Sequence, residues 1–255
     1  MFHVKHSLEI TGFELKIVAI VAMTCNHVAN VFEAWLPLPI LFVLFAVGGI
    51  TFPIMAFLLV EGYVHTSSLK RYALRLFVFA LVSQIPYSLL FGACGNVLFT
   101  LLIGLGILRI NDRCGVGFGL LATLCCTVVL SAHFDWATTG LVIIYMFSVL
   151  RDVKISGDEL SVFDHAAQKR MLRTERRANL ITIIGTMLVP MCVTLFNGLR
   201  TNDMLTIGYA LIGYTAATIM LCFYRGSRGK PMKWLFYAYY PVHLLVIYAI
   251  TVIFL

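Results

Sequence analysis

Two histidines stand inside apolar runs of this chain. His27 lies in Met23-Thr24-Cys25-Asn26-His27-Val28-Ala29-Asn30, and His243 ends Phe236-Tyr237-Ala238-Tyr239-Tyr240-Pro241-Val242-His243. On a helix, Thr24, His27 and Asn30 follow one another at i, i+3 and share a side, while Asn26 reaches Asn30 at i+4. Neutral imidazole takes or gives a proton near pH 7, which is the chemistry of a general base. Tyr240, Asn26 and Gln84 offer donors for an oxyanion forming nearby. A histidine satisfied by a tyrosine hydroxyl or a freed carbonyl is the bland alternative.

A second constellation is charged. Glu61 and His65 are i, i+4 partners, and Lys70, Arg71 and Arg75 follow, with Arg71 and Arg75 again at i, i+4. Two guanidinium groups on one helix face can grip a phosphate in bidentate fashion; plain anchoring at a membrane surface uses the same residues. Gln84, Pro86, Asn96 and Thr100 form a further polar group, open to a substrate-contacting or a structural reading. His133 and Asp135 are placed on a loop, with Asp135 equally suited to capping a helix. The run Gly115-Val116-Gly117-Phe118-Gly119 has no strand before it and reads as close helix packing, not as a nucleotide loop. The seven cysteines form no C-x-x-C pair or Cys/His ligand spacing, so neither a disulfide framework nor a metal site is expected.

The elements carrying these residues are membrane helices. Apolar residues make up 60% of the chain, charged ones only 12%, and the mean hydropathy is +0.93. A water-facing surface needs about twice that charge. The fold class expected is an all-α, polytopic helical bundle in one transmembrane domain, residues 1–255. About nine spans of lipid-crossing length are expected: 17–35, 38–60, 72–92, 96–110, 115–132, 137–150, 179–197, 204–224 and 234–254. Alternating the connections places all but Arg200 of the 19 Lys and Arg on the side of the N-terminus, so that side is expected to be cytoplasmic. The first span is too long for a signal h-region and is read as a retained helix. His27 then lies roughly 16 Å of helix beyond Lys16, and His243 a similar distance beyond Lys233, which matches their depths in the bilayer. The loop 151–178 is expected to be cytoplasmic and basic, close to anionic lipid heads, with a surface helix over 164–177. The net charge of +7 reflects topology; no nucleic-acid partner is expected.

In order along the chain, five segments resemble the TraX family of multi-span membrane acetyltransferases. Met23 to Val28 resembles its apolar-Asp-His-apolar stretch. Gly49-Ile50-Thr51-Phe52-Pro53-Ile54-Met55-Ala56-Phe57 resembles its Phe-Pro motif. Glu61-Gly62-Tyr63-Val64-His65-Thr66 with the basic pair resembles its loop after helix two. Asn96-Val97-Leu98-Phe99-Thr100 resembles its Asn-x-Leu-Phe opening of helix four, and Phe236 to His243 its last Tyr/Pro/His helix. The type member is tied to acetylation of the N-terminus of conjugative pilin. One departure is Asn26, where the family has Asp. Asn orients an imidazole without offering charge, which weakens a charge-assisted dyad at His27 and leaves room for His243 or Glu61 as the base, or for altered activity.

The resemblance implies an acyl-CoA-dependent acetyltransferase in the cell (inner) membrane. Acetyl-CoA is its co-substrate, and an exported peptide N-terminus or a cell-envelope glycan its acceptor. On this reading His27, His243, Asn26 and Glu61 carry the chemistry, Lys70, Arg71, Arg75 and His65 hold CoA, and Gln84, Asn96, Tyr240 and Thr100 line or support the site. Intramembrane His, Glu and Asn also serve proton-coupled transporters. A non-catalytic membrane subunit that binds a partner through 151–178 is a third reading.

Overall fold

The computed structural model describes residues 9–149, 165–224 and 226–254, and the side chains of these except 165–176 and Lys233. They form an all-helical bundle with two isolated bridges, Ile10 to Tyr224 and Gly95 to Phe134. Thr11 opens α1 (Gly12–Val31) with a reciprocal cap. Its hydroxyl accepts from the Glu14 N–H at 3.2 Å, and the Glu14 carboxylate accepts from the Thr11 N–H at 2.7 Å. α2 (Leu38–Gly48) starts behind Pro37 and breaks at Gly49-Ile50 before α3 (Thr51–His65). Ser68 caps α4 (Leu69–Phe91), and Asn96 caps α5 (Val97–Cys114). α6 (Val116–Leu130) and α7 (Ala137–Val149) are short. α8 (His165–Thr201) is a continuous rod. Asp203 then caps α9 (Met204–Gly208), which passes through a π-helical turn, Tyr209–Tyr214, into α10 (Thr215–Phe223). α11 (Lys233–Phe254) ends the described chain.

The described part of each expected apolar segment falls mainly on helix, although 32–35 is a turn and 38–60 is divided at Gly49-Ile50. Among the described residues, six rods are long and apolar enough to cross a membrane: Gly12–Val31, Leu38–His65, Leu69–Phe91, Arg177–Thr201, Met204–Phe223 and Trp234–Phe254. The other three fall short for physical reasons. α5 carries Arg109, Asp112 and Arg113 in its last turns, and α6 and α7 have 15 and 13 residues, only about 22 and 20 Å of rise. α7 is nevertheless the most enclosed helix, with Leu141, Ile143, Ile144 and Phe147 all buried. The first part of the expected basic loop, 151–164, lies outside the described residues; from His165 onward it is the first turns of α8.

The surface is inverted relative to a water-soluble protein. Ile85, Val128 and Ile253 stand exposed, while Asn96, Thr100, Ser83, His27 and His243 are buried. Small residues let the rods approach. A β-carbon on Gly213 would lie 2.5 Å from the Gly49 α-carbon, and one on Gly48 would lie 2.8 Å from the Asn26 β-carbon, so these crossings need glycine. The helices run alternately between two ends. At one end Gly12 N–H donates to Ser227 O at 2.8 Å, and Tyr63 bonds Asp112. At the other, Gly95 N–H donates to His133 O at 2.7 Å.

Candidate active site: two cavities meeting at His27

The seam between α1 and α11 is polar along one stripe. Thr24 and Tyr239 share a hydroxyl–hydroxyl bond of 2.7 Å, and His27 Nδ1 lies 2.8 Å from His243 Nε2. Only 6% of His27 and 5% of His243 is exposed, so these are interior contacts. The far nitrogen of His243, Nδ1, lies 2.9 Å from the Tyr239 carbonyl oxygen. A carbonyl can only accept, so His243 Nδ1 carries the proton, and the Nε2 of the neutral ring is a lone pair. His27 Nδ1–H must therefore donate to it. The neutral pair is fixed in one tautomer, and the remaining nitrogen of His27, Nε2, is an acceptor. Phe91 and Tyr240 hold the His27 ring at centroid distances of 5.4 and 6.2 Å.

Two cavities flank this imidazole. The first, about 610 Å³, begins among Lys16, Arg75, Arg228 and His65 and runs to Asn26, His27 and Tyr240. The second, about 510 Å³, opens at the other end among Asn30, Glu33, Asp203 and Thr206. Five residues line both: Asn26, His27, Asp135, Trp136 and Tyr209. Among the described residues, Lys16, Arg75 and Arg228 with Glu61 beside them line one cavity, Glu33 and Asp203 line the other, and His27 lies where they meet.

The remaining site residues sort by contact. Arg75 reaches the first cavity, its guanidinium 5.7 Å from the Tyr72 ring, whereas Lys70 and Arg71 are exposed and do not line it. Its cationic companions there are Lys16 and Arg228. Glu61 lies at the rim, where Tyr224 donates to it at 3.2 Å and His65 Nδ1 is 3.6 Å away; both are far along α3 from the imidazole pair. Gln84 and Asn96 form a closed joint. Asn96 Nδ2 donates to Ala80 O at 2.8 Å and Gln84 Oε1 at 2.9 Å, and Gln84 Nε2 donates to Cys94 O at 2.8 Å. Thr100 donates to the Asp135 carbonyl. These three hold the backbone and leave little for a substrate. The Tyr240 hydroxyl, by contrast, is buried on the wall of the first cavity and makes no hydrogen bond of ordinary geometry, although the Val97 amide is close.

Sequence spacing did not single out Lys16, Arg228, Trp136, Glu33 or Asp203, and it left Asp135 between cap and site. The carboxylate of Asp135 turns into the shared junction. Burial pushes its pKa up to about 6, against the Tyr87 hydroxyl and the Trp136 N–H, which lower it. Asp203 is held below the usual carboxylate range, chiefly by the Thr206 hydroxyl.

The family model described as "TraX protein" matches residues 11–251. A curated relative, "Probable fimbrial assembly protein FimC, serogroup H1" of Dichelobacter nodosus, is 26% identical over 93% of this chain and 94% of its own. No solved structure matches significantly. The match spans both halves of the histidine pair and both cavity rims, and the chain belongs to the TraX family.

Proposed function

We propose that this protein is a membrane acetyltransferase. It moves an acetyl group from acetyl-CoA, taken from the cytoplasmic end, to an exported peptide N-terminus or a cell-envelope glycan entering from the opposite face. The observation that carries this reading is His27, held in one tautomer by His243, at the meeting point of a cavity lined by Lys16, Arg75 and Arg228 and a second lined by Glu33 and Asp203. Membership in the TraX family supports it. The topology that goes with it has nine crossings and a cytoplasmic N-terminus. The alternation of the rods supports this, as does the placing of Lys16, Arg75 and Arg228 around one cavity and of Arg109 beside Tyr63. The site then lies in the cell (inner) membrane.

The residues act as follows. Lys16, Arg75 and Arg228 take the CoA phosphates at the rim, and the thioester arm follows the first cavity toward His27. His27 Nε2 removes a proton from the acceptor N–H or O–H, and the acceptor attacks the thioester carbonyl. Tyr240 donates to the oxyanion. As the C–S bond breaks, the proton on His27 passes to the CoA sulfur. His243 holds His27 in the basic tautomer and shares the positive charge formed on it.

The test uses purified protein in nanodiscs with isotope-labelled acetyl-CoA and candidate acceptors. Label transfer that is lost in His27→Ala supports the assignment. Substrate-dependent flux in proteoliposomes without transfer selects a proton-coupled transporter instead. Neither activity leaves a membrane subunit of an assembly machine, in keeping with the name of the Dichelobacter relative.

A further inference from the structure

The loop between α6 and α7 holds Asp135 in place from several directions. Its N–H donates to Gly95 O at 2.8 Å, and its carbonyl accepts from the Thr100 hydroxyl. The next residue, Trp136, sits at φ 61, a left-handed backbone that a bulky side chain rarely adopts. Its ring stacks on Phe52 at 4.4 Å and 8°. This strained, pinned turn aims the Asp135 carboxylate at the junction of the two cavities.

Groups from several elements surround that carboxylate. They are the donating Tyr87 hydroxyl of α4, Tyr240 of α11, Tyr209 of the π turn, the Cys94 thiol and His27 of α1. Among the described residues, Glu33 and Asp203 lie further out in the second cavity, which no Lys or Arg lines; Lys16, Arg75, Arg228 and Glu61 line the first cavity, which Asp135 also faces, and the groups that act on its carboxylate are Tyr87 and the Trp136 N–H, not these cations. A buried carboxylate without a cationic partner is costly, and a cationic ligand would relieve that cost.

Proton balance says which ligand. Acetylating a hydroxyl needs one base, because the departing CoA thiolate takes the proton back. Acetylating an ammonium needs two: RNH3+ and acetyl-S-CoA give RNH-acetyl, CoA-SH and a free proton, with a C–N bond formed and a C–S bond broken. The junction has two proton acceptors, His27 Nε2 and Asp135. Resting on the acetyl-transfer reading, we propose that Asp135 receives the acceptor as an ammonium ion and takes its first proton. His27 takes the second and passes it to the CoA sulfur, and Asp135 returns its proton to the outer cavity.

The experiment compares wild-type protein with Asp135→Asn and Asp135→Glu in nanodiscs, using labelled acetyl-CoA. The acceptors are a short peptide with a free N-terminal amine and the same peptide with a hydroxyl in place of that amine. The result expected for Asp135→Asn is a fall of about 100-fold or more in kcat/KM with the amine. Activity with the hydroxyl analogue changes by less than about fivefold, and Asp135→Glu recovers part of the loss. The acid limb of the wild-type amine pH profile disappears, and acetyl-CoA binding is unchanged, which shows an intact fold. Equal loss on both acceptors with acetyl-CoA still bound overturns the proposal, as does a wild-type rate and pH profile in Asp135→Asn. No transfer to either acceptor by wild-type protein sinks the acetyl-transfer reading itself.

Discussion

Replacing His243 tests the histidine pair without touching the group placed against substrate. His27 Nδ1 donates to His243 Nε2 at 2.8 Å inside a buried seam. Ala at 243 leaves that donor without an acceptor, a loss worth roughly 1–3 kcal/mol. The cheapest relief is for the proton to move to Nε2, which turns the cavity-facing nitrogen of His27 from an acceptor into a donor. Because 1.36 kcal/mol is tenfold in rate, kcat for acetyl transfer should fall about 10–100-fold in His243→Ala. KM for acetyl-CoA should hold, since Lys16, Arg75 and Arg228 at the rim are untouched. His243→Gln places an amide oxygen near the lost Nε2 and should recover about tenfold. His27→Gln should not recover, because no amide oxygen is a comparable base. The assay is steady-state label transfer in nanodiscs, with kcat and KM separated. Wild-type kcat in His243→Ala, or equal rates for the Ala and Gln variants, would refute the tautomer argument.

Three further outcomes follow from the same geometry. Arg75→Ala and Arg228→Ala should each raise KM for acetyl-CoA about tenfold and flatten its salt dependence, while Lys70→Ala and Arg71→Ala, exposed and off the cavity, should leave it within about twofold. Asn96→Ala removes the cap of α5 and the two bonds from Nδ2 to Ala80 O and Gln84 Oε1, while the N–H of residue 96 still donates to Gln84 Oε1. It should cost about 2–4 kcal/mol in detergent unfolding with little change in turnover per folded molecule. Asp135→Asn should stabilise the protein: a folded pKa near 6 against about 3.9 unfolded means the native state keeps the proton longer. Stability is then fully present below about pH 4 and is lost as pH rises through 6. The penalty above that is about 1–3 kcal/mol after allowing for water in the cavity, and thermal melts of the Asn variant should lack this slope.

Much of this architecture is legible in the sequence because one of its rules is local. Apolar run length finds the rods, which is why segments such as 38–60 and 234–254 fall on helices. The rods' ends depend on caps and packing instead. α1 starts at Thr11 because of its bond with Glu14, and α7 tolerates only 13 residues because its neighbours enclose it. The histidines stand out because a polar residue in an apolar run is conspicuous. Lys16 and Arg228 do not, since topology already explains a cation at a helix end. Asp135 looks like an ordinary cap, and only the tertiary pinning of its loop by Gly95 and Thr100 turns it inward.

The departure at Asn26 gains a physical account from the same junction. Asn26 lines both cavities and packs against Gly48 so closely that a β-carbon there would lie 2.9 Å from its Oδ1. A carboxylate on α1 at that point would put a second negative charge into the space that Asp135 already occupies, and when like charges share a site the pKa of one of them is raised. With a neutral amide at 26, the junction keeps one carboxylate, supplied from the loop before α7, and His27 takes its orientation from His243 instead. Asn26→Asp should therefore not be a simple restoration. Added alone it should weaken acetyl transfer to an amine and move its acid limb to higher pH, because two carboxylates then compete for one proton. Paired with Asp135→Asn it should recover activity over the single Asp135→Asn variant. If Asn26→Asp alone raises activity and the double variant shows no recovery, the two positions do not share one charge.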